Sequence, residues 1–242
     1  MADFEPRTAL LAGASGLVGG YVLDALLDAP DFGRVFAISR RPLQREHPQL
    51  ANRIVQFDKL ETQLKGTVCH VALCCLGTTL KQAGSEKGFR QVDLDYVIAF
   101  ARAAREAQAQ RFIVVSSAGA HPQSKHLYLR VKSEMEAALE ALKFPALDIM
   151  QPGPLLGFRR ELRPREMLAT LLMPLLNPLL TGQRIAYRGI SASTVGAAML
   201  GAARSGRRGV YRYTYSALAN LAESKPLRAA PAATPKSQSG AR

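Results

Sequence analysis

Short apolar runs alternate along the chain with longer stretches in which apolar residues recur every three or four positions. Residues 8–12 form the first run, and 35–38, 54–57, 68–74, 112–115 and 146–150 follow. Between them, residues 17–27, 89–108 and 127–142 carry a helical period; in the second of these Val92, Tyr96, Val97, Phe100 and Ala104 share one face. The first four runs are almost wholly apolar, as strands are when helices cover both faces of a parallel sheet. The alternation therefore predicts βαβ units and a Rossmann-like, doubly wound α/β fold.

After Met150 the rhythm changes. Residues 151–157 read as a Pro- and Gly-rich loop, 158–166 as an Arg-rich polar stretch, and 193–203 and 210–213 as a late helix and strand. This part is expected to form a small C-terminal substrate lobe within about 151–216, completing one domain over 1–216. From 217 to 242 the chain turns to Ala, Pro, Ser and Lys, so a disordered tail is expected.

Composition narrows the classes. At 242 residues, with 48% hydrophobic and 21% charged residues, the chain is long enough for a sizeable core. The net charge of +13 calls for an anionic partner, whether nucleic acid, a membrane surface or a phosphorylated ligand. Nucleic acid is not expected, because aromatics are 7% of the chain, Trp is absent and no binding motif stands out. The apolar stretch 167–180 is too short to span a bilayer and is broken by Pro174 and Pro178. It reads first as a buried helix and second as a contact in a homodimer. Cys69, Cys74 and Cys75 fit neither a disulfide framework nor a metal site, since adjacent residues on a strand point to opposite faces. His47, His70, His121 and His126 lack ligand spacing, so no metal is expected. With no signal or transit peptide visible, a cytoplasmic location is expected.

Candidate chemistry lies at the ends of the strands. Gly13, Gly16 and Gly19 follow the first strand and open the first helix. Such glycines permit a tight turn and close backbone approach to a pyrophosphate, and the helix N-terminus supplies amide donors. The second strand ends Ser39-Arg40-Arg41-Pro42, with no acid until Glu46. Arginines there suit a ribose 2′-phosphate, whereas a carboxylate would suit a free 2′-hydroxyl, so NADP(H) is expected over NAD(H). Asp58 is a candidate contact for adenine, its register left open. Leu76-Gly77 closes the fourth strand, where the backbone can approach the cofactor. Tyr128 and Lys132 stand four apart on one helix face, where the ammonium favours the phenolate and so a proton exchange with substrate oxygen. Ser116 and Ser117 end the fifth strand, where a hydroxyl could bond that same oxygen.

These motifs resemble those of the atypical short-chain dehydrogenase/reductase family over residues 8–213. The resemblance rests on Gly13-Ala-Ser-Gly16, Ser39-Arg40-Arg41, Cys74-Cys-Leu-Gly-Thr-Thr79, Phe89-Arg-Gln-Val-Asp-Leu-Asp-Tyr-Val97, Ser116-Ser117, Leu127-Tyr-Leu-Arg-Val-Lys132 and Pro152-Gly-Pro-Leu-Leu156. It implies that Ser15, Gly16, Leu17 and Val18 hold the pyrophosphate, Arg40 and Arg41 the 2′-phosphate, and Leu76 and Gly77 the middle of the cofactor. It further implies Tyr128 as proton donor or acceptor and Lys132 on the nicotinamide ribose, with Pro152, Leu155 and Arg163 at further cofactor-lining positions.

The chain also departs from the family pattern. Asp93 stands where many extended members carry asparagine, and Tyr128 follows Ser117 by only 11 positions. Ser193-Thr-Val195 replaces the Asp-Val pair common in sugar-nucleotide enzymes, which disfavours that substrate class. The expectation is an NADPH-dependent oxidoreductase acting on a small carbonyl or alcohol of unknown identity. The alternative is an NADPH-sensing binding protein with little turnover.

Overall fold

The computed structural model describes residues 6–156, 177 and 180–223. Its strands are β1 (Arg7–Ala12), β2 (Phe32–Ser39), β3 (Leu50–Ile54), β4 (Val71–Cys74), β5 (Arg111–Val115), β6 (Ala146–Met150), β7 (Leu155–Leu156), β8 (Ile190–Ser191) and β9 (Gly209–Tyr213). Seven of them make one sheet in the order β3-β2-β1-β4-β5-β6-β9, every pairing parallel. The strand order reverses direction between β1 and β4. In open parallel sheets a ligand crevice lies outside the carboxyl ends of the strands at that point.

Alternate residues of the sheet feed two cores. Leu10, Ala12, Ile38, Cys74, Phe112 and Val114 pack on one face, against α5 (Tyr96–Glu106) and α6 (Leu127–Ala141). Ala9, Leu11, Val35, Leu73 and Ile113 pack on the other, against α1 (Leu17–Leu27), α7 (Ala192–Arg204) and α8 (Tyr215–Glu223). Cys74 joins the first core while Cys75 packs against the second, so the adjacent thiols do face opposite ways. Both are free, as is Cys69.

Several expectations need correction. The third strand lies at Leu50–Ile54 rather than 54–57. It is a half-exposed edge strand, and a polar residue locks it in place: the Asn52 amide donates to the Ala37 carbonyl (3.0 Å) and the Ser39 hydroxyl (2.7 Å). Phe57 instead starts a 3₁₀ turn (Phe57–Lys59) leading into α2 (Leu60–Gln63). The long helix expected over 89–108 starts earlier and changes pitch. After the short α3 (Leu80–Ala83), α4 (Glu86–Arg90) passes through a π-helical turn (Gln91–Asp95) into α5.

The expected tail also begins too early. α8 crosses the boundary drawn at 217, because Leu218 is fully buried and Leu221 packs beside it on the second core. Of the expected lobe, α7 and β9 belong to the layers of the main sheet; β7 pairs with β8 apart from it. Arg163, the other arginines of 158–166, most of 167–180 and residues 224–242 lie outside the described residues. Among the described residues no helix is long and apolar enough to cross a membrane.

Candidate active site

The turn from β1 into α1 is built so that backbone rather than side chain faces the crevice. Gly13 has φ +85°, and a Cβ there would lie 2.5 Å from the Cys75 carbonyl oxygen. A Cβ on Gly19 would lie 2.0 Å from the Gly13 oxygen, so only glycine lets α1 approach the turn this closely. Gly16 is the N-cap, without a side-chain cap, and no acid stands in the first turn. The first-turn amides, those of Leu17 and Val18 among them, have no intrahelical acceptor and point at the crevice with the positive end of the helix dipole. These are the groups an anion such as a pyrophosphate requires.

A groove of about 450 Å³ opens from this turn. Gly13, Ser15 and Gly16 line one end, Arg40, Arg41 and Leu43 the β2 side, and Leu76, Gly77, Val92 and Tyr96 the opposite wall. Its size suits a nucleotide. Arg40 and Arg41 are exposed, and among the described residues neither guanidinium is paired with a carboxylate. At the same wall the rings of Phe57 and Tyr96 lie 5.2 Å apart. Burial, and then the neighbouring Asp58 carboxylate, raises the Tyr96 phenol above its ordinary range, while Arg40 works in the other direction. Asp58 therefore stands beside Tyr96 and Arg40, in the 3₁₀ turn rather than at a strand end.

The second half of the site lies on α6. Tyr128 is 38% exposed, and Lys132 one turn later is 3% exposed. The Lys132 Nζ stands 5.9 Å from the centre of the Tyr128 ring and donates to the Val115 carbonyl at 3.4 Å, which brings it to the end of β5. The same Nζ lies 2.8 Å from Asp93 Oδ1, and both side chains are buried. The other Asp93 oxygen accepts the Thr78 backbone N–H at 2.7 Å. Burial opposes the Lys132 charge, but Asp93 and then Tyr128 outweigh it and hold the ammonium above its ordinary pKa.

This geometry can be set beside known proteins. A family profile described as NAD(P)H-binding matches residues 13–154, from the glycine turn to the loop after β6. The chain belongs to the NAD(P)H-binding family. It is 41% identical over 169 residues to Protein HTATIP2 of Rattus norvegicus, covering 68% of this chain and 69% of that one. It is 38% identical over 153 residues to a Saccharomyces cerevisiae protein named FMP52, mitochondrial, covering 62% and 66%. Among solved structures it is similar to MoeE5 in complex with UDP-glucose and NAD, with a TM-score of 0.63 at 16% identity over 86% of this chain and 76% of that one. A UDP-N-acetylglucosamine 4-epimerase from Methanobrevibacter ruminantium M1 gives a TM-score of 0.64 at the same identity and coverage. At such identity these two show the Rossmann-like fold alone.

In this NAD(P)H-binding chain the structure draws together most of the expected residues. Gly13, Ser15, Gly16, Arg40, Arg41, Leu76 and Gly77 line one groove. Leu17 and Val18 open α1 behind it, Pro152 is buried after β6, and Leu155 begins β7. Tyr128 and Lys132 share a face of α6, with Ser117 beyond the end of β5. Ser116 is a correction. Its hydroxyl is buried and bonds Glu136, which also accepts from Gln151 (2.9 Å) and Arg212 (3.1 Å). β5 ends at Val115, so both serines lie just past it: Ser116 holds the fold through Glu136, while Ser117 is half-buried with its hydroxyl 3.3 Å from the Ala118 carbonyl. Sequence reasoning missed Asp93 as the partner of Lys132, and it missed Phe57, Val92 and Tyr96 as the groove wall. For Asp93 a signal existed, an acid among the apolar positions of a helix.

Proposed function

We propose that this chain is an NADPH-dependent oxidoreductase acting on a small carbonyl or alcohol. The observation that carries the reading is Arg40 and Arg41 at the end of β2, neither of them paired with a carboxylate among the described residues. They open onto the groove whose other end is the glycine turn. An acid is absent from that strand end, and two planar cations offer charge-assisted hydrogen bonds to a 2′-phosphate. The glycine turn suits a pyrophosphate, because Gly13 and Gly19 let the turn pack directly on the Cys75 backbone and on α1, leaving the uncapped first-turn amides of α1 to meet an anion.

The cofactor, when bound, supplies hydride exchange with a carbon centre. The protein's part is to hold the substrate oxygen and to move one proton. Tyr128 is exposed enough to meet a substrate, and its hydroxyl gives a proton to a carbonyl oxygen on reduction or takes one on oxidation. Lys132 supplies a fixed positive charge beside that phenol, and Ser117 a hydroxyl near the same oxygen. The free thiols suit a reducing compartment, and we place the protein in the cytoplasm.

The test is turnover by Tyr128→Phe. With a substrate found by screening carbonyls in the presence of NADPH, the variant should lose about 100-fold or more in kcat, as removal of a general acid does. Its NADPH affinity should stay within about threefold of wild type, since each 1.4 kcal/mol is tenfold. Undiminished turnover would remove Tyr128 from the chemistry. Tight NADPH binding with no turnover on any carbonyl would favour an NADPH-sensing protein instead.

A further inference from the structure

One carboxylate joins the two halves of the site. Asp93 lies in the π turn, 1% exposed, with Oδ1 2.8 Å from the Lys132 ammonium on α6. Its Oδ2 accepts the Thr78 N–H at 2.7 Å, in the turn that follows β4. A Cβ on Gly77 would lie 3.5 Å from Oδ1, so the carboxylate runs directly against the backbone that lines the groove. The π turn allows this placement: Asp93 and Leu94 are both buried, one after the other, while Val92 and Tyr96 still face the groove. Among the described residues, the one hydrogen bond of Lys132 besides this ion pair is to Val115, at 3.4 Å, too long to hold it alone.

We propose that Asp93 is a positioning residue that clamps the Lys132 ammonium and the Gly77–Thr78 turn into one arrangement. The inference rests on the oxidoreductase reading for what Lys132 then does, whereas the clamp itself is a contact between residues of the chain. Asp93 touches no substrate in this account and acts through Lys132. A merely structural ion pair would affect stability and leave cofactor affinity unchanged. A clamp affects both.

The test has two readouts. In the intact chain labelled with ¹⁵N-lysine, a buried, hydrogen-bonded ammonium gives a slowly exchanging NH₃⁺ signal, assigned by its loss in Lys132→Met. It is expected in the cofactor-free wild type at neutral pH and absent from Asp93→Asn. Calorimetry with NADPH should show Asp93→Asn weakened about tenfold, the loss of roughly one charged hydrogen bond. In the Lys132→Met background the same substitution should change affinity by less than about twofold, because a residue acting through Lys132 has nothing left to act on.

The proposal is overturned by an NH₃⁺ signal that persists in Asp93→Asn, by wild-type NADPH affinity in that variant, or by additive losses in the double variant. Should Asp93→Asn alone fail to fold, the uncharged double variant compared with Lys132→Met, and the wild-type spectrum, carry the test. A wild type without the protected signal then refutes the clamp. A wild type that shows the signal but binds no NADPH refutes the oxidoreductase reading and leaves the clamp standing.

Discussion

Replacing Asp93 by Asn strands a buried ammonium, and the cost follows from the geometry. The charges lie 2.8 Å apart on side chains 4% and 1% exposed. At an effective dielectric of about 20, unit charges at that separation attract by about 6 kcal/mol. Withdrawing them from water costs several kcal/mol per ion, so the pair as a whole contributes little net stability. Removing one member is different, because the desolvation of the other is no longer offset, and such losses run to about 3–5 kcal/mol. Lys132→Met should fall toward the low end, since Asp93 keeps the Thr78 N–H. The assay is urea unfolding at pH 7 of wild type, Asp93→Asn, Lys132→Met and the double variant. With a slope of roughly 2–3 kcal/mol per molar, Asp93→Asn should lower the midpoint by about 1–2 M. The double variant should unfold later than Asp93→Asn, despite carrying one more substitution. Additive losses, or an Asp93→Asn midpoint equal to wild type, would refute the paired burial of these charges.

Alkaline titration gives an independent check. Burial disfavours the Lys132 charge, yet Asp93 and Tyr128 raise its pKa above the ordinary 10.5. A group raised in this way stabilises the fold fully below its unfolded pKa and loses that contribution as pH rises through the folded value. Wild type should therefore lose stability more steeply than Lys132→Met above about pH 10.5 in denaturation followed by circular dichroism; parallel curves would contradict this. Burial pushes the Cys69 and Cys74 thiols up to about 12 and Cys75 well above its ordinary value, so a thiol-reactive dye at pH 8 should find fewer than one reactive group in the folded chain and three in denaturant. A fast-reacting thiol in the native protein would contradict the burial of these thiols. Gly13→Ala forces a side chain into a left-handed turn at φ +85° and against Cys75, which should cost about 1–3 kcal/mol in unfolding free energy and lower NADPH affinity. Wild-type behaviour on both counts would mean that the turn is looser than described.

The central sheet was legible because strands covered on both faces are mostly apolar, and β1, β4, β5 and β6 show such runs, broken in β5 and β6 only by the paired Arg111 and Asp148. β3 escaped because an edge strand needs only one buried face; its Asn52 and Arg53 read as loop, although Asn52 is what fastens it. The π turn left no mark in composition, since it changes the phase of side chains rather than their kind. Ser116 and Ser117, just past the end of β5, could not be told apart without knowing that Glu136 on α6 takes the Ser116 hydroxyl. α8 was mistaken for tail because its Ala-rich sequence buries little except Leu218, and only the presence of α7 gives that leucine a place to go. At the site, the glycine turn, the Arg40–Arg41 pair and Tyr128–Lys132 were readable because each is local in sequence. The Asp93–Lys132 pair joins two distant helical segments, and only the fold reveals it.

The +13 charge that called for an anionic partner is answered in part by the two groove arginines. The most direct measurement is calorimetric titration of NADPH and NADH into the wild-type chain and into Arg40→Ala/Arg41→Ala at physiological salt. The account predicts one NADPH per chain, bound about 10–100-fold more tightly than NADH, the worth of one or two charged hydrogen bonds to a phosphate. In the alanine variant the preference should collapse while NADH binding changes little. Equal affinity for the two dinucleotides in the wild type, or a preference that survives loss of both arginines, would contradict it.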